Sequence, residues 1–274
     1  MNPTVSAITL GVDDVDRARA FYERGLGCRV QQQADGYAAL GVDGVSTAVA
    51  LYRVDALAAD AGVPADGRGF RGAALSFIVA EAAAVDAVVA SAQTAGGSVI
   101  KPARSQLWGG YSAYVADTDG HLWKVASNHR PPLLRGKRDA ATPTSVPTPT
   151  ETAVILACRD VKQSKAFYAD GLGFLVDKSY GKFVSFKTDG EAMQLTLYAW
   201  DSLADDAGVN PDGNGFRAMT LSYHASSADE VDEVLEAAAR AGAATTDPTP
   251  ASWGGYSGHF TDPSGHIWKV ASRA

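Results

Sequence analysis

The feature that most constrains this chain is an internal duplication. Residues 14–22 and 160–168 share Asp-Val and Ala-Phe-Tyr at an offset of 146 residues. After one deletion the offset is 145, and Trp-Gly-Gly-Tyr-Ser at 108–112 recurs at 253–257. The other repeated phrases are Gly-Leu-Gly at 25 and 171, Asp-Ala-Gly-Val at 60 and 206, Gly-Phe-Arg at 69 and 215, Gly-His at 120 and 265, and Trp-Lys-Val-Ala-Ser at 123 and 268. The chain is therefore two tandem copies of one domain.

A proline-rich stretch separates the copies. Residues 129–150 contain five prolines among Ser, Thr and charged residues, a composition that forms neither a helix nor a central strand. Its basic residues are typical of a solvated connector rather than a binding patch. We therefore predict one domain over 1–128, a semi-extended linker over 129–150 and a second domain over 151–274.

The apolar pattern predicts the same α+β elements in both copies. In copy one, Ala7–Val12 reads as a buried strand, and Asp14 is the N-cap of a helix that Gly25 and Gly27 end. The further elements predicted in copy one are strands over 28–32, 37–42, 47–52, 74–79, 98–100, 112–116 and 121–126, a helix over 82–94 and a turn-rich loop over 62–69. Each copy is therefore β-α-β-β-β twice over, and the chain holds four such units.

Composition excludes several classes of function. The 24 Lys and Arg are outnumbered by 31 Asp and Glu, and an acidic chain is a poor partner for nucleic acid. No apolar run approaches the roughly 20 residues needed to span a bilayer, and the N-terminus lacks the pattern of a signal peptide. Two cysteines are too few for a disulfide framework. We expect a cytoplasmic protein that binds neither nucleic acid nor membranes.

Two phrases carry a resemblance to a known family. Residues 10–27 read Leu-x-Val-x-Asp-Val-x-x-Ala-x-x-Phe-Tyr-x-x-x-Leu-Gly, and residues 117–122 read Asp-x-x-Gly-His-Leu. Related phrases stand at 156–173 and 262–266 in copy two. This combination resembles the vicinal oxygen chelate superfamily, which includes glyoxalases, extradiol dioxygenases and the bleomycin- and fosfomycin-resistance proteins. The resemblance implies sheets curled around a cleft, with helices packed outside, and leaves open whether each cleft forms within one copy or across both.

The resemblance also implies where a metal ion would be held. Metal-dependent members use His on the first strand of each unit and a carboxylate on the last strand. The corresponding residues here are Ala7, Ala153, Ala74, Thr220, Lys124 and Lys269, and strands 48–53 and 194–199 contain no carboxylate. An ammonium group has no lone pair to offer a cation, and alanine has no donor atom. We therefore predict no metal and no other cofactor.

Charged side chains beside the cleft are candidates for ligand binding. Lys124 and Lys269 alternate with buried neighbours so that they face the cleft, where each contacts an anionic ligand or pairs with a nearby carboxylate. Arg71 and Arg217 open the second-unit strands, and they hold a ligand carboxylate or form an ion pair that supports the loop. Sequence alone leaves both choices open.

Aromatic residues are the other candidates. In the Trp-Gly-Gly-Tyr-Ser loop, two glycines allow close approach of the backbone, and the aromatics either stack on a planar ligand or plug a tight turn. We assign His121, His266, Trp123 and Trp268 structural roles. The aromatic residues predicted to bind the ligand are Trp108, Tyr111, Trp253 and Tyr256 of these loops and Tyr52 and Tyr198 of the first-unit strands.

The leading hypothesis is a metal-free small-molecule binding protein that sequesters an aromatic or anionic metabolite or drug, as resistance members of the family do. The alternative is a metal-dependent lyase or dioxygenase, or an enzyme that uses Lys124 or Lys269 as an acid or base. A third possibility is a protein-interaction role with the clefts closed by side chains. We expect the tandem chain to be a monomer that behaves as a pre-fused dimer.

Overall fold

A computed structural model describes residues 3–106, 109–129, 145–188, 190–251 and 254–273. The elements of copy one are β1 (Ala7–Val12), α1 (Val15–Gly25), β2 (Arg29–Ala34), β3 (Tyr37–Val42), β4 (Val45–Arg53), α2 (Val54–Asp60), β5 (Gly67–Gly69), β6 (Ala73–Ile78), α3 (Ala82–Thr94), β7 (Ser98–Ser105), β8 (Tyr111–Ala116) and β9 (Leu122–Ser127). The elements of copy two are β10 (Glu151–Cys158), α4 (Val161–Ala166, extended by a π-helical turn at Phe167–Gly171), β11 (Val176–Tyr180), β12 (Phe183–Phe186), β13 (Gln194–Ala199), α5 (Trp200–Ala207), β14 (Gly213–Gly215), β15 (Met219–Ala225), α6 (Ala228–Arg240), β16 (Ala244–Thr245), β17 (Thr249–Pro250), β18 (Gly255–Thr261) and β19 (Ile267–Arg273).

The four predicted β-α-β-β-β units are present, and they pair across the copies. The first sheet has the order β16-β18-β19-β15-β1-β4-β3-β2, and the second has the order β11-β12-β13-β10-β6-β9-β8-β7. Each sheet therefore joins the first unit of one copy to the second unit of the other. The antiparallel pairs β1–β15 and β10–β6 form the two seams. Each cleft forms across the two copies, which settles the choice that the sequence left open.

The helices α1 and α4 start as the sequence predicts. The Asp14 side chain accepts a hydrogen bond from the Arg17 backbone N–H at 2.9 Å. The Asp160 side chain does the same for the N–H groups of Lys162 and Gln163, at 2.9 and 3.0 Å. These caps satisfy amide groups that would otherwise lack partners in the first turn.

A buried polar chain fixes the outer layer of helices against the sheets. The Tyr22 hydroxyl of α1 donates to Asp117 Oδ2 at 2.7 Å and accepts from Trp123 Nε1 at 3.2 Å. Copy two repeats this arrangement with Tyr168, Asp262 and Trp268. Trp123 and Trp268 are fully buried core residues, as predicted. Because residue 123 faces the helices, residue 124 faces the opposite, concave side of the sheet.

The predicted loop at 62–69 contains a strand. Its last residues, β5, pair with β14 of the other copy in a two-stranded ribbon between the sheets. Gly67 and Gly213 are required there, since a Cβ atom on either would collide with a backbone carbonyl oxygen of the opposite copy. The repeated Gly-Phe-Arg phrase therefore marks a contact between the copies. No helix in the described part of the chain is long and apolar enough to span a membrane.

Candidate functional site

Paired residues across the four central strands form the floor of each cleft. In the first sheet, β4, β1, β15 and β19 align one residue each in a row, and in the second sheet β13, β10, β6 and β9 do the same. Directly paired residues point to the same face, so each row lies on the concave side. The rows are Ala48, Ala7, Ser222 and Lys269 in the first cleft, and Gln194, Ala153, Ser76 and Lys124 in the second.

These floors do not suit the divalent ion that the fold implies. Alanine provides no donor atom, and a lysine ammonium would repel a cation. Ser222 and Ser76 provide one neutral hydroxyl each, and Gln194 provides one amide. Among the described residues, no group of three or more His, Cys, Asp or Glu is arranged to hold a metal.

The row also corrects one predicted position on each floor. The sequence assigned the second-unit ligand positions to Thr220 and Ala74, but in the structure Ser222 and Ser76 share the rows with Lys269 and Lys124. Thr220 pairs with Ile267, and Ala74 pairs with Leu122, so both lie one row away. Which residue lies in each row depends on the register between strands that are distant in sequence. Counting along a single strand does not predict that register.

Each floor lysine is paired with a carboxylate from a helix that enters the cleft. Lys124 Nζ lies 2.6 Å from Asp206 Oδ2, and the Tyr114 hydroxyl donates to the same oxygen at 2.7 Å. Burial alone would raise the pKa of Asp206, but Lys124 and Tyr114 outweigh it, so the pKa lies below its usual value. This pairing favours the structural interpretation of Lys124 over direct contact with a ligand.

The first cleft has the equivalent pair with one difference. Lys269 Nζ lies 2.8 and 2.7 Å from the two carboxylate oxygens of Asp60. His259 stands where the second cleft has Tyr114, and its Nε2 lies 3.4 Å from Asp60 without forming a hydrogen bond. Burial raises the pKa of Asp60, but the nearby His259 and Lys269 bring it down to about 2. The Asp60 carboxylate is therefore ionised at neutral pH.

The helices α2 and α5, which the sequence did not predict, each pack on the concave side of one sheet. Leu203, Ala204 and Ala207 of α5 are buried in one apolar cluster with concave-face residues such as Ile155 and Leu122. Leu57, Ala58 and Ala61 pack in the same way in the first cleft, against Phe216, Ala218 and Ile267. A helix therefore occupies part of each predicted cleft, which the prediction of clefts lined by aromatics and one Lys each did not include. The repeat of Asp-Ala-Gly-Val in both copies was the available signal, because it marks the end of each helix.

The predicted aromatic residues fall on different faces. Tyr52 and Tyr198 lie on the concave face as expected, half-buried beside Tyr37 and Phe183 respectively. Tyr111 and Tyr256 lie on the helix side instead, with hydroxyls that donate to Asp86 at 2.9 Å and Asp232 at 3.1 Å. An odd spacing of three residues separates Tyr111 from the cleft-facing Tyr114, which reverses its face. Trp108 and Trp253 lie outside the described residues.

Arg71 and Arg217 support the turns that precede β9 and β19. Arg71 Nη2 donates to the Asp119 carbonyl oxygen at 2.8 Å, and Nη1 lies 3.0–3.1 Å from the ring nitrogens of His121. Arg217 has the same two partners in copy two, the Ser264 carbonyl and the ring of His266. Among the described residues, both arginines bond a carbonyl oxygen and an imidazole, and Arg217 also lies over the Trp200 ring. Neither has the carboxylate partner that a loop-supporting ion pair requires.

The two histidines hold these turns in the neutral state. His121 Nε2 donates to the Gly11 carbonyl oxygen at 2.9 Å, and His266 Nε2 donates to that of Ala157 at the same distance. Burial lowers the pKa of both rings, and with the neighbouring Arg217 it brings the pKa of His266 to about 4. The structural role predicted for both is consistent with these bonds.

Two cavities remain open beside the clefts, and residues of both copies line each. The first cavity has a volume of about 290 Å³, and the second has a volume of about 330 Å³. Arg217 and Met219 border both cavities, so the two meet near the seam between the copies. The first is lined by Arg71, Phe70, Leu122 and Val209 and the second by Phe216, Val63 and Ile267, among others.

Comparisons with known proteins agree with this architecture. A family model described as the Glyoxalase/Bleomycin resistance protein/Dioxygenase superfamily matches residues 4–125 and 152–270. Glyoxalase I from Zea mays is 17% identical over 99% of this chain and 92% of its own, with a TM-score of 0.64. A protein from Bacillus subtilis is 14% identical over 99% and 86%, also with a TM-score of 0.64. A glyoxalase-related enzyme from Fulvimarina pelagi is 28% identical over 45% of this chain and 86% of its own, with a TM-score of 0.40. A search of curated proteins finds no match.

Proposed function

The chain belongs to the glyoxalase/bleomycin resistance protein/dioxygenase superfamily, and from the chemistry of its cleft floors we propose that it binds a small molecule without a metal ion. In this proposal it captures an aromatic or anionic metabolite or drug and does not transform it. The ligand occupies the cavities beside the clefts, where apolar walls supply the affinity.

The main support for metal-free binding is the amino-acid composition of the two cleft floors. The positions that must donate electron pairs hold alanine, serine and lysine in the first cleft, and both clefts place lysine at the end of the row. If only one cleft had lost its histidine and carboxylate ligands, the other would still offer a catalytic site. Neither floor row contains His, Asp or Glu, and Asp60 and Asp206 each pair with a lysine.

The cavities also favour capture over turnover. The charged side chains that line the first cavity are those of Arg71, Arg217 and the exposed Asp212. The two guanidinium groups stay protonated and serve poorly as acid–base catalysts. His121 donates its Nε2 proton to a backbone carbonyl, and burial keeps the ring neutral with a lowered pKa. We therefore assign this site a binding role.

Ligand binding measured with and without a chelator tests the proposal. Tryptophan fluorescence would be followed while the full-length protein is titrated with a panel of aromatic acids and neutral aromatics. We expect saturable binding by at least one compound, with the same affinity in the presence of EDTA. Binding that disappears with EDTA and returns with an added divalent ion would instead support a metal-dependent lyase or dioxygenase.

A further inference from the structure

We propose that the first cavity, which Arg71 and Arg217 both line, is a binding site for an organic anion, a carboxylate with an apolar body. This inference rests on the proposed small-molecule function and names its ligand class. The site lies at the seam between the copies, so each copy contributes one of the two arginines.

The two guanidinium groups lack carboxylate counter-ions. Among the described residues, neither Arg71 nor Arg217 has a carboxylate oxygen at salt-bridge distance, although most arginines with a short-range contact in this protein do. Burial lowers the pKa of both groups, because it disfavours the charged form. A charge that is partly removed from water without a counter-ion is destabilised, and a bound anion would lower that free-energy cost.

The carboxylates that interact most strongly with these arginines already have other partners. Asp117 accepts hydrogen bonds from the Tyr22 hydroxyl and from the backbone amides of Asp119 and His121. Asp262 has the corresponding partners in copy two, and the Asp119 carboxylate pairs with Arg17 at 2.8 Å. These groups offset the arginine charges only from a distance.

Both arginines retain donors for a ligand. A guanidinium carries five N–H groups, and in the described part of the chain Arg71 directs two of its nitrogens to the Asp119 carbonyl and the His121 ring. Each terminal nitrogen has a second hydrogen, so N–H donors remain that could bond the oxygens of a carboxylate.

The rest of the cavity selects the body of the ligand. Phe70, Leu75, Ile100, Leu122 and Met219 supply an apolar wall opposite the charges. Its volume of about 290 Å³ lies at the lower end of the range of small-molecule sites, about 300–1,000 Å³. The exposed Asp212 also borders the cavity, so two guanidinium groups and one carboxylate leave a net charge of +1 in the lining, which one ligand carboxylate would balance. A single carboxylate on an aromatic or branched body fits these conditions.

A matched pair of probes tests this ligand class. Isothermal titration calorimetry would compare 2-naphthoate with its uncharged counterpart, 2-naphthamide, on the full-length protein. We expect the acid to bind about tenfold more tightly or better, the gain of one charge-assisted hydrogen bond. Arg71→Gln and Arg217→Gln should each remove that preference.

Two further variants keep the test decisive. Arg240→Gln removes the same charge from the exposed face of α6, where Arg240 contacts Glu236, and should leave naphthoate binding unchanged. Val209→Phe fills the cavity while it retains both arginines, and it should weaken naphthoate binding even if an arginine variant fails to fold.

Three results would overturn the inference: equal affinity for acid and amide, unchanged naphthoate binding in both arginine variants and in Val209→Phe, or no binding of naphthoate. The first two would leave the proposed function standing, since a small molecule still binds. Only the response of ligand binding to chelator bears on metal independence, so the two failures are distinguishable.

Discussion

At the scale of single residues, the two floor lysines are predicted ligand contacts that each form an ion pair with an aspartate in the structure. Lys124 and Lys269 occupy the ends of rows that face the clefts, and each meets an aspartate from an inserted helix. The sequence placed both lysines on the correct face by strand alternation. It gave no partner, because Asp206 lies 82 residues from Lys124, and contacts across that separation depend on the sheet order.

The Lys124–Asp206 pair should stabilise the fold measurably. Lys124→Met leaves a partly buried carboxylate without its cation, and we expect a loss of about 1–3 kcal/mol in the free energy of unfolding. Asp206→Asn should cost a similar amount, and the double variant should lose less than the two single losses combined. Urea denaturation measures all three. Additive losses would show that the pair contributes no coupling.

A buried histidine should make the protein sensitive to mild acid. The pKa of His266 is about 4 in the folded protein because burial and Arg217 disfavour the imidazolium, whereas an unfolded histidine titrates near 6.5. The unfolded state therefore takes up the proton first as the pH falls. The stability present above about pH 6.5 should decline towards pH 4 by on the order of 3 kcal/mol for this group.

Denaturation midpoints at a series of pH values would check this dependence. His266→Gln should flatten the decline between about pH 6.5 and pH 4, whereas His129→Gln, a change at an exposed position, should leave the curve unchanged. An unaltered slope in the His266 variant would show that this ring is not buried in the neutral form.

At the scale of elements, the long helices and strands were predictable and the inserted helices were not. For α1 and α4, an Asp N-cap and apolar periodicity predict the helix from the sequence. α2 begins directly after β4, and its N-cap residue, Arg53, makes no side-chain capping hydrogen bond. α5 follows β13 in the same way, with Ala199 as its N-cap. Neither helix carries a start signal, and each is stabilised by the sheet on which it packs.

Packing of α5 in its cleft should be an important source of stability. Leu203 is fully buried against the concave face, so Leu203→Ala should lower the free energy of unfolding by about 2–5 kcal/mol. The same substitution at Leu175, which is 55% exposed, is the matched control and should change stability little. Equal effects at the two positions would contradict the placement of α5 inside the cleft.

At the scale of the whole molecule, the copies are interwoven. Each sheet takes strands from both copies, and the β5–β14 ribbon adds a third crossing. Duplication was readable from the repeats, but pairing across the copies was not, because either arrangement buries the same apolar faces. The face of Tyr111 was also not predicted, because the predicted strand began at residue 112 and β8 begins one residue earlier, at Tyr111.

Interweaving predicts that the copies stay together when the linker is cut. A protease site introduced near residue 138, followed by cleavage, should yield two fragments that co-elute on size exclusion at the volume of the uncut protein. The shared seams β1–β15 and β10–β6 provide the physical reason. Separation of folded fragments under native conditions would instead indicate clefts within single copies.

The most direct test of metal-independent binding is elemental analysis of full-length protein purified without chelator and then dialysed against Ni²⁺, Zn²⁺, Fe²⁺ or Mn²⁺. Because alanine, serine and lysine dominate both floors, we expect substoichiometric metal in every case, with ligand binding unaffected. One tightly held ion per cleft, lost when Ser222 or Ser76 is replaced by alanine, would contradict it.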